Sequence, residues 1–246
     1  SALDAVELMN VGVNYLREHM PPDARVHYAV TDSGGLSPNV VQARAEVLYL
    51  VRAATNNDAA ALYERVGNVA RGAALMTGCE LDIRFEKACS NLMMNDVLNG
   101  VLHDTLVEIG HLPVGEAERD EARRYAGTLA EADIAEAGRP LGLALRGPAL
   151  FEGVADYTPG RTEVLYGSTD VGDVSWVTPT AQCWVACFAF GTPMHSWQLV
   201  AQGKTGMAHA GLRHAAHALE KTANRLFDEP ALLERARAEL EQRRGG

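Results

Sequence analysis

Residues with the chemistry to bind or react are gathered in a few short stretches of this 246-residue chain. The run Gly191-Thr192-Pro193-Met194-His195-Ser196-Trp197 places one imidazole in a Gly/Pro turn, after an apolar segment and before a helix-like one. In α/β architectures such turns often carry function, because a rigid scaffold aims their side chains while leaving them accessible. His195 is either a metal ligand or a satisfied histidine in a turn. The loop Gly167-Ser168-Thr169-Asp170-Val171-Gly172-Asp173 offers two carboxylates. Asp170 and Asp173 can approach a metal, orient His195 through a hydrogen bond to its ring, or cap a turn. Arg52 ends a strand-like segment, and Asn39 sits in the loop that leads into it. A guanidinium fork and an amide donor suit a carboxylate; an edge salt bridge with an Asx turn is the alternative.

Other clusters are poorer in pattern. His209, His214 and His217 fall on one helix-like stretch. His214 and His217 share a face at i, i+3, a spacing able to grip a metal, but no third ligand of matching period accompanies them. His103, Asp104, Glu108 and His111 scatter around a helix, which predicts solvent exposure. Cys183 and Cys187 share a strand face with Val185 and read as buried apolar groups, not as nucleophiles.

Composition narrows the classes of partner. Lys plus Arg number 22 against 32 Asp plus Glu, a formal charge of −10, which argues against nucleic acid or an anionic membrane as the main partner. The longest uninterrupted apolar run, 183–190, is far short of the roughly 20 residues needed to span a bilayer. Four cysteines without C-x-x-C spacing, and no secretory leader pattern at the start, predict a reducing, cytoplasmic setting.

The elements that must position these residues follow from periodicity. Val6, Met9, Val13, Leu16 and Met20 form a helical stripe, capped by Ser1 and stopped by Pro21 and Pro22. Segments 25–31 and 44–52 alternate as strands. Asn57 or Asp58 starts a second helix with stripe Leu62, Val66, Val69, Ala73 and Met76, and Gly78 ends it. Cys79, Leu81, Ile83 and Phe85 alternate with charged residues, predicting a third strand. The order αββαβ is a split β-α-β, ferredoxin-like unit without its first strand. Helix 1 would cross from a parallel strand ahead of Ser1, so the sequence is expected to start inside a domain. Helices are predicted over 91–110 and 115–137, with β-prone segments within 162–176 and 180–190. Leu212, Ala216, Leu219, Ala223 and Leu226 mark a long helix, and Leu232, Leu233, Ala236 and Leu240 a final one.

Several of these stretches together resemble one family. They are Ser1-Ala2-Leu3-Asp4-Ala5, Gly34-Gly35-Leu36-Ser37-Pro38-Asn39-Val40-Val41, Val51-Arg52, Gly167 to Ser175 and Pro193-Met194-His195-Ser196-Trp197-Gln198. In this order they are similar to the dinuclear-zinc amidohydrolases and carboxypeptidases related to aminoacylase and carboxypeptidase G, in the branch that cleaves p-aminobenzoyl-glutamate. The resemblance implies an α/β chain: a ferredoxin-like α+β lid and dimerisation domain over 1–88, then the C-terminal portion of a zinc-peptidase-like catalytic domain over 89–246. It implies His195 as a metal ligand, and Asn39 and Arg52 as contacts to the substrate carboxylate, often across a dimer. Asp170 would lie in the substrate-side loop.

The implied cofactor is a pair of zinc ions, with manganese as an alternative. The implied substrate is an acyl-glutamate-like small molecule, and the implied partner a second copy bound through the lid or a related subunit. In that family the other metal ligands, the general-base glutamate and a lid histidine all precede the lid. None of these motifs lies ahead of Ser1, so this chain alone is expected to lack most of the site. The rival reading is a non-catalytic carboxylate-binding or dimerisation module.

Overall fold

Ser1 opens the first helix as its spacing predicts. Its Oγ accepts Asp4 N at 3.4 Å, ahead of α1 (Ala2–Leu16), and one 3₁₀ turn (Arg17–His19) follows before the proline pair. The computed structural model describes residues 1–139, 147–160 and 167–245. These form two units, one built from 1–92 and 167–173, the other from the described residues of 93–160 and 174–245.

In the first unit, β1 (Arg25–Asp32) pairs antiparallel with β2 (Glu46–Arg52), with Val26 opposite Val51, Tyr28 opposite Tyr49, and an irregularity between Val30 and Asp32. Next comes α2 (Asn56–Thr77), whose first turn is satisfied by Thr55 Oγ1 accepting Asp58 N at 3.1 Å. Gly78 closes the helix at φ 68°, a conformation that glycine adopts without a Cβ penalty. The two helices approach closely at Gly12, where a Cβ would meet Val69 Cγ1 at 2.6 Å. Val13, Ala24, Val26, Leu62 and Val66 are buried together, with Met9, Leu16, Tyr49 and Val51 packed around them. Burying a Val or Leu side chain stabilises by about 1.5–3 kcal/mol, so this cluster is what joins the hairpin to its helices.

Among the described residues the third strand expected over 79–85 has no ladder partner. Cys79 N bonds to Ala74 O, and beyond it Leu81, Ile83 and Phe85 stay exposed. Phe85 meets Tyr63 of α2 edge-on, with ring centroids 6.0 Å apart. Alternation marks two faces, but a strand also needs a neighbouring backbone. Among the described residues none lies along it. Segment 180–190 differs from expectation in the same way.

The second unit is helical. Here α3 (Asp96–Ile109) starts later than expected because Asn95 caps it: its buried side chain accepts Leu98 N at 3.0 Å and donates to Ala236 O at 2.9 Å. The single helix expected over 115–137 is split into α4 (Glu116–Ala126) and α5 (Glu131–Gly138), with Thr128 Oγ1 bonding back to Tyr125 O at 2.7 Å in the break. Part of the β-prone segment 162–176 lies outside the described residues, and its end is a short helix, α6 (Val171–Ser175). The remaining helices are α7 (Trp197–Gln202), α8 (Gly206–Asp228) and α9 (Pro230–Arg244). Glu239 of α9 accepts Asp96 N at 2.8 Å and Val97 N at 2.9 Å, satisfying orphan donors at the start of α3.

The stripe expected on α8 points the wrong way. Leu212 and Leu219 are exposed, while Met207, Ala210, Gly211, His214, Ala218 and Thr222 are buried. Small residues win the inward face because the neighbouring segment approaches too closely for leucine: a Cβ on Gly211 would meet Ala186 O at 2.3 Å. The described residues thus mix helices with a two-stranded antiparallel sheet. No helix among them is long and apolar enough to cross a membrane.

Candidate functional site

His195 occupies the tip of the turn between segment 180–190 and α7. Its φ of 61° makes it the one non-glycine residue in the left-handed region among the described residues. A side chain held there costs of order 1–3 kcal/mol and persists only where its surroundings fix it, a condition common at functional sites. Those surroundings are specific. Gly191, at φ 87°, leaves no room for a Cβ, which would meet Ile134 at 2.8 Å. Ser196 Oγ donates to Pro193 O at 2.7 Å and accepts Leu199 N at 3.2 Å, so the residue after His195 both closes the turn and caps α7. The imidazole is exposed, flanked by exposed Met194 and Trp197.

An exposed, conformationally fixed imidazole suits one position in a metal's coordination shell. Among the described residues no group of three or more His, Cys, Asp or Glu side chains lies close enough to hold an ion. The described residues alone therefore form no complete metal site around His195.

The first unit holds Asn39, Arg52 and Asp170. Arg52, half-buried, ends β2 directly opposite Arg25 in the ladder. Arg25 Nη1 donates to Pro22 O at 2.5 Å and Ala24 O at 2.6 Å, while Arg17 Nη2 donates to Val26 O at 2.7 Å. Arg25, and Arg17 through its bond to Val26 O, thus share one end of the hairpin with Arg52. Cross-strand register was the missing signal for Arg25: like charges placed opposite one another are unfavourable without compensation.

Asn39 lies at the other end, exposed in the loop 33–45. The first six residues of the seven-residue β2 separate that loop from Arg52, a length of about 20 Å. The loop is shaped by Asp32 Oδ1 accepting Gly34 N at 2.8 Å and by Gly34 at φ 81°. Ser1 Oγ donates to Gln42 Oε1 at 2.7 Å, fastening the loop to the start of α1.

Asp170 is exposed. Asp173 accepts Ser90 N at 2.9 Å, and hydrogen bonding first from the Ser90 side chain and then from its backbone holds the Asp173 carboxyl below the usual range. Neighbouring Gly172 lies against Ser90 O, which a Cβ would approach to 2.0 Å.

The remaining clusters serve structure. On α8, His214 is buried and His217 exposed, so the pair presents no common accessible face. Burial first, then His217, pushes the His214 ring toward its neutral form. His103 Nε2 lies 3.2 Å from Ala155 O, with its ring against Tyr157. Half-buried, it departs from the expected exposure. Glu108 pairs with Lys221 and Arg225, which keep its carboxyl ionised to lower pH than usual. Desolvation raises the thiols of Cys183 and Cys187, which suits apolar packing and disfavours thiolate chemistry.

No protein-family model matches the chain. It is 46% identical over 253 residues to one of the subunits of p-aminobenzoyl-glutamate hydrolase from Escherichia coli (strain K12), a match that covers 98% of this chain and 52% of that protein. The mouse Xaa-Arg dipeptidase is 28% identical over 243 residues, covering 98% of this chain and 46% of the relative, and the human one is 25% identical over 242 residues. The chain spans about half the length of the curated relatives it matches.

Proposed function

We propose that this chain forms part of a metal-dependent amidohydrolase that cleaves the amide of an N-acyl amino acid, with an acyl-glutamate such as p-aminobenzoyl-glutamate as substrate class. The observation that carries the reading is the 46% identity to the Escherichia coli p-aminobenzoyl-glutamate hydrolase protein, over 98% of this chain and 52% of that protein. His195 is its metal ligand, and its fixed, exposed placement at φ 61° supports that role. The metal is zinc, two ions in the complete site, with manganese as the alternative. Such ions lower the pKa of a bound water so that it can attack the amide carbonyl.

In this reading residues 1–88 are a ferredoxin-like lid and dimerisation domain, and 89–246 the C-terminal part of the catalytic domain. The apolar-alternating segment 79–85 is the last strand of the lid. Arg52 holds the substrate's terminal carboxylate by charge-assisted hydrogen bonds. Asn39 supplies a neutral donor. The length of β2 puts it and Arg52 on one carboxylate most simply when the two come from different copies, which accords with a homodimer or a related second subunit. Asp170 lines the substrate side of the site. Four free thiols agree with a cytoplasmic setting.

The test is release of glutamate from p-aminobenzoyl-glutamate with zinc or manganese present. The 246-residue chain is assayed alone and mixed with the other half of the Escherichia coli relative. Activity is expected only in the mixture, with a loss of at least a hundredfold for His195→Asn. An active mixture that His195→Asn leaves unchanged overturns the ligand assignment. A mixture that binds metal and folds but releases no glutamate overturns the hydrolase reading.

A further inference from the structure

The turn that carries His195 is pinned from beneath by one amide. Gln202, the last residue of α7, is 1% exposed. Its Oε1 accepts Ala189 N at 2.7 Å, and its Nε2 donates to Thr192 Oγ1 at 3.1 Å and to Gln198 O at 3.0 Å. Thr192 Oγ1 in turn donates to Ala189 O at 2.7 Å. A single side chain thereby ties together the end of the extended segment, the turn and the helix after it. All three points bracket His195, whose own backbone sits where side chains are strained.

The chemistry of this arrangement is demanding. A buried amide is stable inside a protein only when its donors and acceptor are paired, and here they are. An apolar residue of similar size would fill the space equally well. Packing alone therefore does not call for glutamine; the three bonds do. We propose that Gln202, acting through Thr192, is a positioning residue that holds His195 in its left-handed, outward-facing conformation. The purpose of that conformation rests on the reading of His195 as a metal ligand; the positioning itself rests on the geometry.

The experiment uses the isotope-labelled 246-residue chain. The carbon chemical shifts of His195 report its backbone conformation, and amide exchange reports the order of 190–196. In Gln202→Leu the left-handed signature of His195 should be lost and exchange over 190–196 should rise at least tenfold, while amides of α3 and α9 stay as they were. Thr192→Val should behave the same way, and Thr192→Ser, which keeps the hydroxyl, should restore the native signature. Thr192→Val also serves if Gln202→Leu fails to fold.

A Gln202→Leu chain that melts earlier yet keeps the His195 signature shows that Gln202 only packs, and the proposal falls. So does a Thr192→Ser chain that is as perturbed as Thr192→Val. The two readings fail separately. His195→Asn without effect on hydrolysis removes the ligand role but leaves the positioning result standing. An unmoved His195 signature does the reverse.

Discussion

Helices α2 and α8 are alike in length and in the regularity of their apolar residues, yet Leu62 and Val66 of the one stripe are buried while Leu212 and Leu219 of the other are exposed. In α2 the periodic Leu62, Val66 and Ala73 face inward and complete a core with the hairpin. In α8 the periodic Leu212 and Leu219 face outward, and Ala210, Gly211 and Ala218 line the contact. Periodicity states which residues share a face. Which face finds a partner is decided by how near the neighbouring chain can come, and beside α8 it comes to within the reach of a glycine.

The largest expected effect tests the α2 side of that contrast. Leu62→Ala should cost about 2–5 kcal/mol, because the surrounding helices cannot fully collapse onto the space left. Urea unfolding followed by far-ultraviolet circular dichroism measures it. All three tryptophans, Trp176, Trp184 and Trp197, lie in the second unit, so their fluorescence reports that unit separately. A loss below about 1 kcal/mol would mean that Leu62 is not a core residue.

Gly211→Leu should come next, at about 1–3 kcal/mol from overpacking, read by tryptophan fluorescence. Here the sequence preference is inverted: replacing a glycine in mid-helix by leucine, a better helix former, destabilises the unit. If Gly211→Leu is neutral, the close approach of Ala186 O to α8 is wrong, and the small-residue face loses its explanation.

Tyr49 gives a smaller effect. It donates to Asn10 Oδ1 at 2.5 Å, and burial, aided by Tyr28, pushes its hydroxyl up to about 12. Because the folded value lies above the unfolded one near 10, the contribution is complete below about pH 10 and is lost as pH rises toward 12. Tyr49→Phe should cost about 0.5–1.5 kcal/mol at neutral pH. It should also remove this alkaline decline from the first unit, seen by repeating the denaturation across that range.

The second unit has the opposite dependence. His214 is held toward its neutral form, so its contribution is present above the unfolded value near 6.5 and is lost as pH falls through the lower folded one. Tryptophan-detected stability should therefore decline on acidification, and His214→Leu should flatten the decline. An unchanged slope in that variant would show that the ring is already solvated.

Much of this molecule is legible from residue types alone. Ser1, Gly78 and the stripes of α1 and α2 announce their elements because capping and burial are decided within a few residues of chain. The turn at His195 is legible as well, since glycine, proline and a serine cap bracket it in sequence. Segments 79–85 and 180–190 are less so, because a ladder depends on a backbone that local sequence does not contain. Gln202 gave no signal, since a glutamine at a helix end is ordinarily solvated and only the folded turn reveals its three partners. Arg25 was equally silent. It became visible once register placed it opposite Arg52.

The smallest expected effect is the sharpest test of the contrast between α2 and α8. Leu212 and Leu219 would be core residues if helical period settled burial, and a double change to glutamate would then unfold the second unit. Since both are exposed, Leu212→Glu with Leu219→Glu should alter its stability by no more than about 0.5 kcal/mol per site. The double variant should therefore leave the tryptophan-detected urea midpoint of the 246-residue chain nearly unchanged. A large destabilisation of the chain alone would return those leucines to the core and restore the simple reading of the period.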